Sequence, residues 1–269
     1  MKKIVIMGAS TGIGNALAQA FLKHGFEVGV AARRTEPLRE LQQQYPGLVH
    51  YSDIDITKAE AVHKLQRIVE ALGGMDIYVH VAGIGYENLS LEPEAEAAVV
   101  DTNATSFARM TAAAYRWMRN HGVRGQIAAV TSVAGTKGMA RLSAYSASKA
   151  FAQAYLLALR QLSNNERSGI TITDIRPGWV KTPLLAPGAK YPMEMTTDYV
   201  VPQILRAIAG RKSVAVIDWR WNILVGLWRV LPNWLWAHMN VRVSDKDVAF
   251  PAPGKNVPLA GGDDVPHKE

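Results

Sequence analysis

Apolar residues along the first two thirds of the chain fall into two alternating rhythms. Ile4 to Met7 is a short, unbroken apolar run, the pattern of a strand buried on both faces. A glycine-rich turn follows, and then Ala16, Leu17, Ala20 and Phe21 recur at helical spacing. The same pair of patterns repeats. The spacing predicts a strand over 27–32, a helix over 37–44 ended by Tyr45-Pro46-Gly47, and a strand over 48–54. Thr57 then caps a helix over 58–72 that Gly73-Gly74 closes, and a fourth strand covers 75–81. A long helical pattern over 94–120, broken near Asp101 to Asn103, leads to a strand over 126–131. A second long helix (143–162), a strand (170–175), a helix (197–209) and a last strand (213–217) complete the body. Strand–helix alternation of this kind builds a parallel sheet covered on both faces, and right-handed crossovers make it doubly wound.

Composition narrows the class. The chain has 269 residues, 48% hydrophobic and 20% charged, enough for one large core. It has no cysteine, which removes disulfides and thiolate metal sites, and no metal site is expected. The apolar run behind Lys2-Lys3 is too short for a signal peptide, so the expected location is cytoplasmic. A net charge of +7 admits nucleic acid, an anionic membrane or a phosphorylated cofactor. No Lys/Arg block with interleaved aromatics occurs, so nucleic acid ranks last.

The phosphorylated cofactor gains from the turn itself. Gly8-Ala9-Ser10-Thr11-Gly12-Ile13-Gly14 sits between strand and helix, as a dinucleotide fingerprint requires. Gly8 permits the sharp turn, Gly12 a close approach to pyrophosphate, and Gly14 tight packing of helix on strand. The amides and positive dipole end of the helix then face the phosphates. An acid at the tip of the second strand would grip a ribose 2′-OH, but the tip is Ala32 followed by Arg33 and Arg34. No acid lies between Val28 and Arg34, and a guanidinium pairs with a 2′-phosphate where a carboxylate repels it. NADP(H) is favoured over NAD(H).

Tyr145 and Lys149 stand four apart on the second long helix and point to one face. An unperturbed phenol, with a pKa of about 10, exchanges protons poorly at neutral pH. One ammonium at ~4 Å, at an effective dielectric near 20, supplies about 4 kcal/mol toward lowering it, and an oxidised nicotinamide adds to that. The pair is therefore a general acid/base candidate. Together with the glycine turn, Asp55, Ala82-Gly83, Asn103, Ser132, Tyr145-Ser146-Ala147-Ser148-Lys149, Pro177-Gly178 and Thr182, it makes the chain resemble a short-chain dehydrogenase/reductase of the common single-domain type over nearly all of residues 1–185.

That resemblance implies a Rossmann-like fold and a set of roles. Tyr145 exchanges the proton with the carbonyl or alcohol oxygen, and Ser132 holds that oxygen. Lys149 lowers the Tyr145 pKa and holds the nicotinamide ribose, while Asn103 positions a water linking Lys149 to solvent. Asp55 and Ile56 flank the adenine, Ala82 and Gly83 line the cofactor, Val180 and Thr182 contact carboxamide and phosphates, and Arg33 occupies the position that favours NADP. One departure stands out: the usual Asn-Asn-Ala-Gly is His80-Val81-Ala82-Gly83 here, which implies altered local stability with His80 as a strand residue.

Beyond Trp179 the sequence is idiosyncratic. Residues 183–188 and Tyr191-Pro192-Met193 have the makings of a lid. Residues 219–236 hold five of the seven tryptophans with Arg220 and Arg229 among them, and Pro232 interrupts a run too mixed to span a membrane. Three readings are open for it: an apolar substrate pocket or subunit interface, a helix lying on a membrane surface, or an outer core wall. The division read from sequence is a Rossmann-like NADP-binding and catalytic unit (1–218), an aromatic-rich extension (219–244) and a Pro/Gly-rich flexible tail (245–269). The implied function is an NADP(H)-dependent oxidoreductase acting on a small, apolar carbonyl or alcohol substrate, as a homo-oligomer. The alternative is a sensor or scaffold that binds NADP(H) without catalysis.

Overall fold

The computed structural model describes residues 1–185 and 188–241; the tail read at 245–269 lies outside them. Seven parallel strands form one sheet in the order β3-β2-β1-β4-β5-β6-β7. They are β1 (Lys3–Met7), β2 (Glu27–Ala32), β3 (Val49–Asp53), β4 (Ile77–His80), β5 (Gln126–Val130), β6 (Thr171–Arg176) and β7 (Val214–Val216). The helices are α1 (Gly12–Lys23), α2 (Glu36–Gln44), α3 (Ala61–Leu72), α4 (Pro93–Val100), α5 (Phe107–Asn120), α6 (Ser143–Glu166), α7 (Thr197–Ala209), α8 (Trp219–Val230) and α9 (Asn233–Ala237).

The unbroken apolar run of β1 has a direct explanation. Ile4 and Ile6 enter a core shared with Leu17 of α1, Leu38 of α2 and Ile204 of α7. Val5 and Met7 enter the opposite core with Leu65 of α3, Met110 of α5 and Leu156 of α6. Each face of the sheet thus has its own helical layer, the doubly wound arrangement. The sheet order reverses between β1 and β4, so a crevice opens at their carboxyl ends.

Two local expectations change. The third helix begins at Ala61, and Thr57 is not its cap: the Asp55 carboxylate accepts the Thr57 amide at 3.0 Å and its hydroxyl at 2.7 Å. That turn holds the chain off helical geometry for three more residues. The break near Asp101 is a π-helical turn, Asp101–Ser106, which joins α4 to α5 without ending the helix.

α8 and α9 join the first core cluster through Trp221, Val225, Trp228 and Trp236, whose indoles meet edge to face. Asp218 anchors the start of α8, accepting from the Arg220 amide at 2.8 Å and the Tyr199 hydroxyl at 2.9 Å. No helix among the described residues is long and apolar enough to cross a membrane.

Candidate active site

The glycine turn closes β1 onto α1. Gly8 takes φ +93°, and a Cβ there would sit 2.5 Å from the Ala82 nitrogen, so strand exits 1 and 4 meet only because Gly8 has no side chain. A Cβ on Gly14 would fall 2.0 Å from the Gly8 carbonyl oxygen, which is how closely helix and turn pack. Thr11 at the N-cap of α1 makes no side-chain cap, and the first turn carries no acid. Ser10, Thr11, Gly12 and Ile13 are all partly open. Such a helix start suits a phosphate, and the residues present therefore fit a dinucleotide. The Thr182 methyl lies against Gly12, placing the loop after β6 over the turn.

Of the two cations at the tip of β2, Arg34 borders this turn. Arg34 reaches to 3.5 Å from the Thr11 hydroxyl. Arg33 is exposed, and its charge acts on both Asp55 and Tyr86. Burial pushes the Asp55 carboxyl up, but the Thr57 hydroxyl and amide, with Arg33 and Lys58, outweigh that and hold it below the usual range. Ile56 turns its side chain into the core under α3.

The second half of the site hangs on α6. Lys149 Nζ lies 5.5 Å from the centroid of the Tyr145 ring, so the two share one side of the helix. The Tyr145 ring lies against Gly85, where a Cβ would approach it to 2.5 Å. Gly83 faces both the Asn103 carboxamide and Lys149 Nζ. Asn103, in the π-turn, accepts from the Ile84 amide at 2.9 Å and donates to the Ile84 carbonyl at 2.7 Å and the Ser148 hydroxyl at 3.2 Å. Its amide group ties the exit of β4 to α6. Ser132, just past β5, accepts from the Ala134 amide at 3.1 Å, and Val133 donates to the Pro177 carbonyl. Val180 forms a parallel bridge with Met195.

Electrostatics depart from the expectation in one respect. Burial, not the Lys149 ammonium, dominates Tyr145 and raises its pKa, with the Ser132 hydroxyl bringing it partway back. Lys149 itself is lowered to about 8 by burial, against the pull of Asp174. Of this pair, Lys149 releases its proton the more easily. His80 ends β4, where its Nδ1 meets the Tyr78 hydroxyl at 2.9 Å and Phe107 packs edge-on. Burial, and then the Lys149 charge, lower it to about 3, so it is neutral.

Sequence reasoning missed Ser148, Asp174 and Trp221. Asp174 is buried on β6 and accepts from the Thr131 hydroxyl at 2.6 Å and from Arg176 Nε at 2.7 Å. Its signal was a carboxylate two residues before an arginine in a strand of the central sheet, a charge that is buried only when paired. Trp221 covers Gly178, and nothing local in the tryptophan-rich stretch distinguishes it from its exposed neighbours.

Comparison with known proteins decides the family. The family model described as short chain dehydrogenase matches residues 2–190. The protein belongs to the short-chain dehydrogenase family. It is an oxidoreductase of that family, 33% identical over 237 residues to an uncharacterized oxidoreductase of Myxococcus xanthus, covering 85% of this chain and 92% of the relative. It is 30% identical over 186 residues to an NADP-dependent 3-hydroxy acid dehydrogenase of Escherichia coli, covering 66% and 72%. A solved structure of ElxO with NADP bound superposes with TM-score 0.72 at 22% identity, covering 82% of this chain and 99% of that one, a likeness of fold.

Proposed function

We propose that this short-chain dehydrogenase moves a hydride between NADP(H) and the carbon of an apolar ketone or secondary alcohol. The observation that carries this reading is Tyr145 with Lys149 one helical turn away and Ser132 beside the phenol, at the strand ends that also present the glycine turn. Bound NADP(H) supplies the hydride, or accepts it. In reduction the Ser132 hydroxyl holds the substrate oxygen, the Tyr145 phenol gives that oxygen its proton, and Lys149 restores the phenol. Asn103 and Ser148 keep Lys149 and Tyr145 in register by fixing the Ile84 backbone to α6.

Arg33 and Arg34 beside the adenosine end support NADP(H) over NAD(H), as does the name of the Escherichia coli relative. Trp179 against Tyr191 at 4.8 Å, both partly open in the stretch after β6, supports an apolar substrate. The deciding experiment follows NADPH and NADH oxidation across a panel of apolar ketones, with wild type and Tyr145→Phe. The expected result is faster turnover with NADPH, lost by about 10²–10⁴-fold in the variant while NADPH still binds. Undiminished turnover in Tyr145→Phe removes the assignment. NADPH binding with no oxidation of any ketone favours the sensor alternative instead.

A further inference from the structure

α8 is apolar on both sides. Trp221, Val225 and Trp228 face inward and are buried. Trp219, Ile223, Leu227 and Val230, at helical spacing on the other side, are exposed, Trp219 to 68% and Val230 to 77%. Trp234 on α9 extends the stripe at 69% exposure. A stripe of large side chains at this density marks an interaction surface, whereas scattered exposed apolar residues need no explanation.

Charge selects the occupant. From Trp219 to Val241 there is no aspartate or glutamate; Arg220 is paired with the buried Asp218, and Arg229 lies exposed beside the stripe. Pairing of two copies through this face about a two-fold axis would bring together two rims whose charge is Arg229, with no acid from Trp219 to Val241 to pair it. An anionic lipid surface complements the same rim. It also matches the tryptophans at both ends of the stripe, whose indoles carry an apolar body and a polar N–H suited to the water–lipid boundary. The stripe is rigidly held: Lys137 donates to the Leu231 carbonyl at 2.9 Å and Trp236 donates to the Gly138 carbonyl at 2.6 Å. These ties, with Trp221 on Gly178, fix α8 and α9 to the loops that follow β5 and β6. We propose that α8 and α9 seat the protein on the surface of an anionic bilayer, on the side that carries the loops after β5 and β6.

The test is co-sedimentation of the full chain with vesicles of pure phosphatidylcholine and of equal parts phosphatidylcholine and phosphatidylglycerol. Wild type is expected to partition onto the anionic vesicles, less at high salt, and weakly onto the neutral ones. The double variant Ile223→Asp/Leu227→Asp changes only exposed positions and is expected to lose more than about tenfold of that partitioning. Arg229→Glu is expected to remove the preference for anionic lipid. Wild type left in the supernatant with both vesicles overturns the proposal, as does undiminished binding by the double variant. So does concentration-dependent dimerisation, abolished by the double variant, without vesicle binding. Should the double variant fail to fold by circular dichroism, quenching of wild-type tryptophan emission by brominated acyl chains decides: quenching supports the seat, and no quenching refutes it.

Discussion

Two buried bases beside the proposed reaction centre both lower stability as pH falls, in separate windows. His80 titrates near 6.5 in an unfolded chain and near about 3 in the native one. Between those values only the unfolded state takes up the proton, so stability is full above about 6.5 and drains as pH falls toward 3. From pH 7 to 5 this site alone costs about 2 kcal/mol. His80→Asn is expected to flatten that part of the acid limb, read from urea midpoints at the two pH values. Parallel acid limbs in both proteins would show that His80 does not sense pH. Lys149 works in the same direction in a more alkaline window. Its native pKa of about 8 lies below the ordinary lysine value of 10.5, so burial of the ammonium costs stability below pH 8 and the cost disappears as pH rises. Reduction needs the protonated relay and oxidation the deprotonated one. kcat/KM for reduction is therefore expected to fall above about pH 8 and that for oxidation to rise through the same region, in initial rates from pH 6 to 10.

At the scale of elements, the π-helical turn shows how far sequence reasoning reaches. The irregularity near Asp101 was visible, because Asp, Thr and Asn interrupt an otherwise helical pattern. Its kind was not, since a π-turn depends on what the inserted residue gains, and Asn103 gains both polar groups of Ile84, nineteen positions earlier in the chain. Asn103→Ala leaves these groups and the Ser148 hydroxyl without their partner. The expected loss is about 2 kcal/mol, read from urea denaturation, with a fall in kcat larger than any rise in KM. An unchanged midpoint would mean that water replaces the amide at no cost. Strands and most helices were legible because each apolar run had a period that only one element satisfies. The start of α3 was not, because the side chain of Asp55 outcompetes a helical turn. α8 hid its orientation for the opposite reason: with apolar residues on both faces, periodicity offers no way to tell inside from outside. The Tyr145–Lys149 pair was legible from its spacing only in company with the glycine turn and Ser132, whereas Asp174, which acts on Lys149 from β6, needed the sheet order to bring it there.

For the molecule as a whole, a second apolar surface differs from the one on α8 in every respect that decides its use. Along the outer side of α6, Ala147, Ala150, Phe151, Ala154, Leu157 and Ala158 are exposed, Leu157 to 61%. None of these carries a charge, and alanine allows two helices to approach to about 8 Å. A face of this kind is self-complementary about a two-fold axis, since nothing on it repels its own copy. The expectation is a homo-oligomer that pairs through α6, the other face of the helix that bears Tyr145 and Lys149. Ala154→Arg with Leu157→Glu should convert it to a monomer, seen as a drop in sedimentation coefficient. Because association stabilises the folded chain by mass action, the wild-type Tm should rise with protein concentration and the variant Tm should not. A wild-type sedimentation coefficient of a monomer at all concentrations would refute the pairing. Oligomerisation that survives the double substitution would move the interface away from α6. In either case Tyr145 would keep its neighbours, since Gly85, Ser132 and Lys149 all come from the same chain.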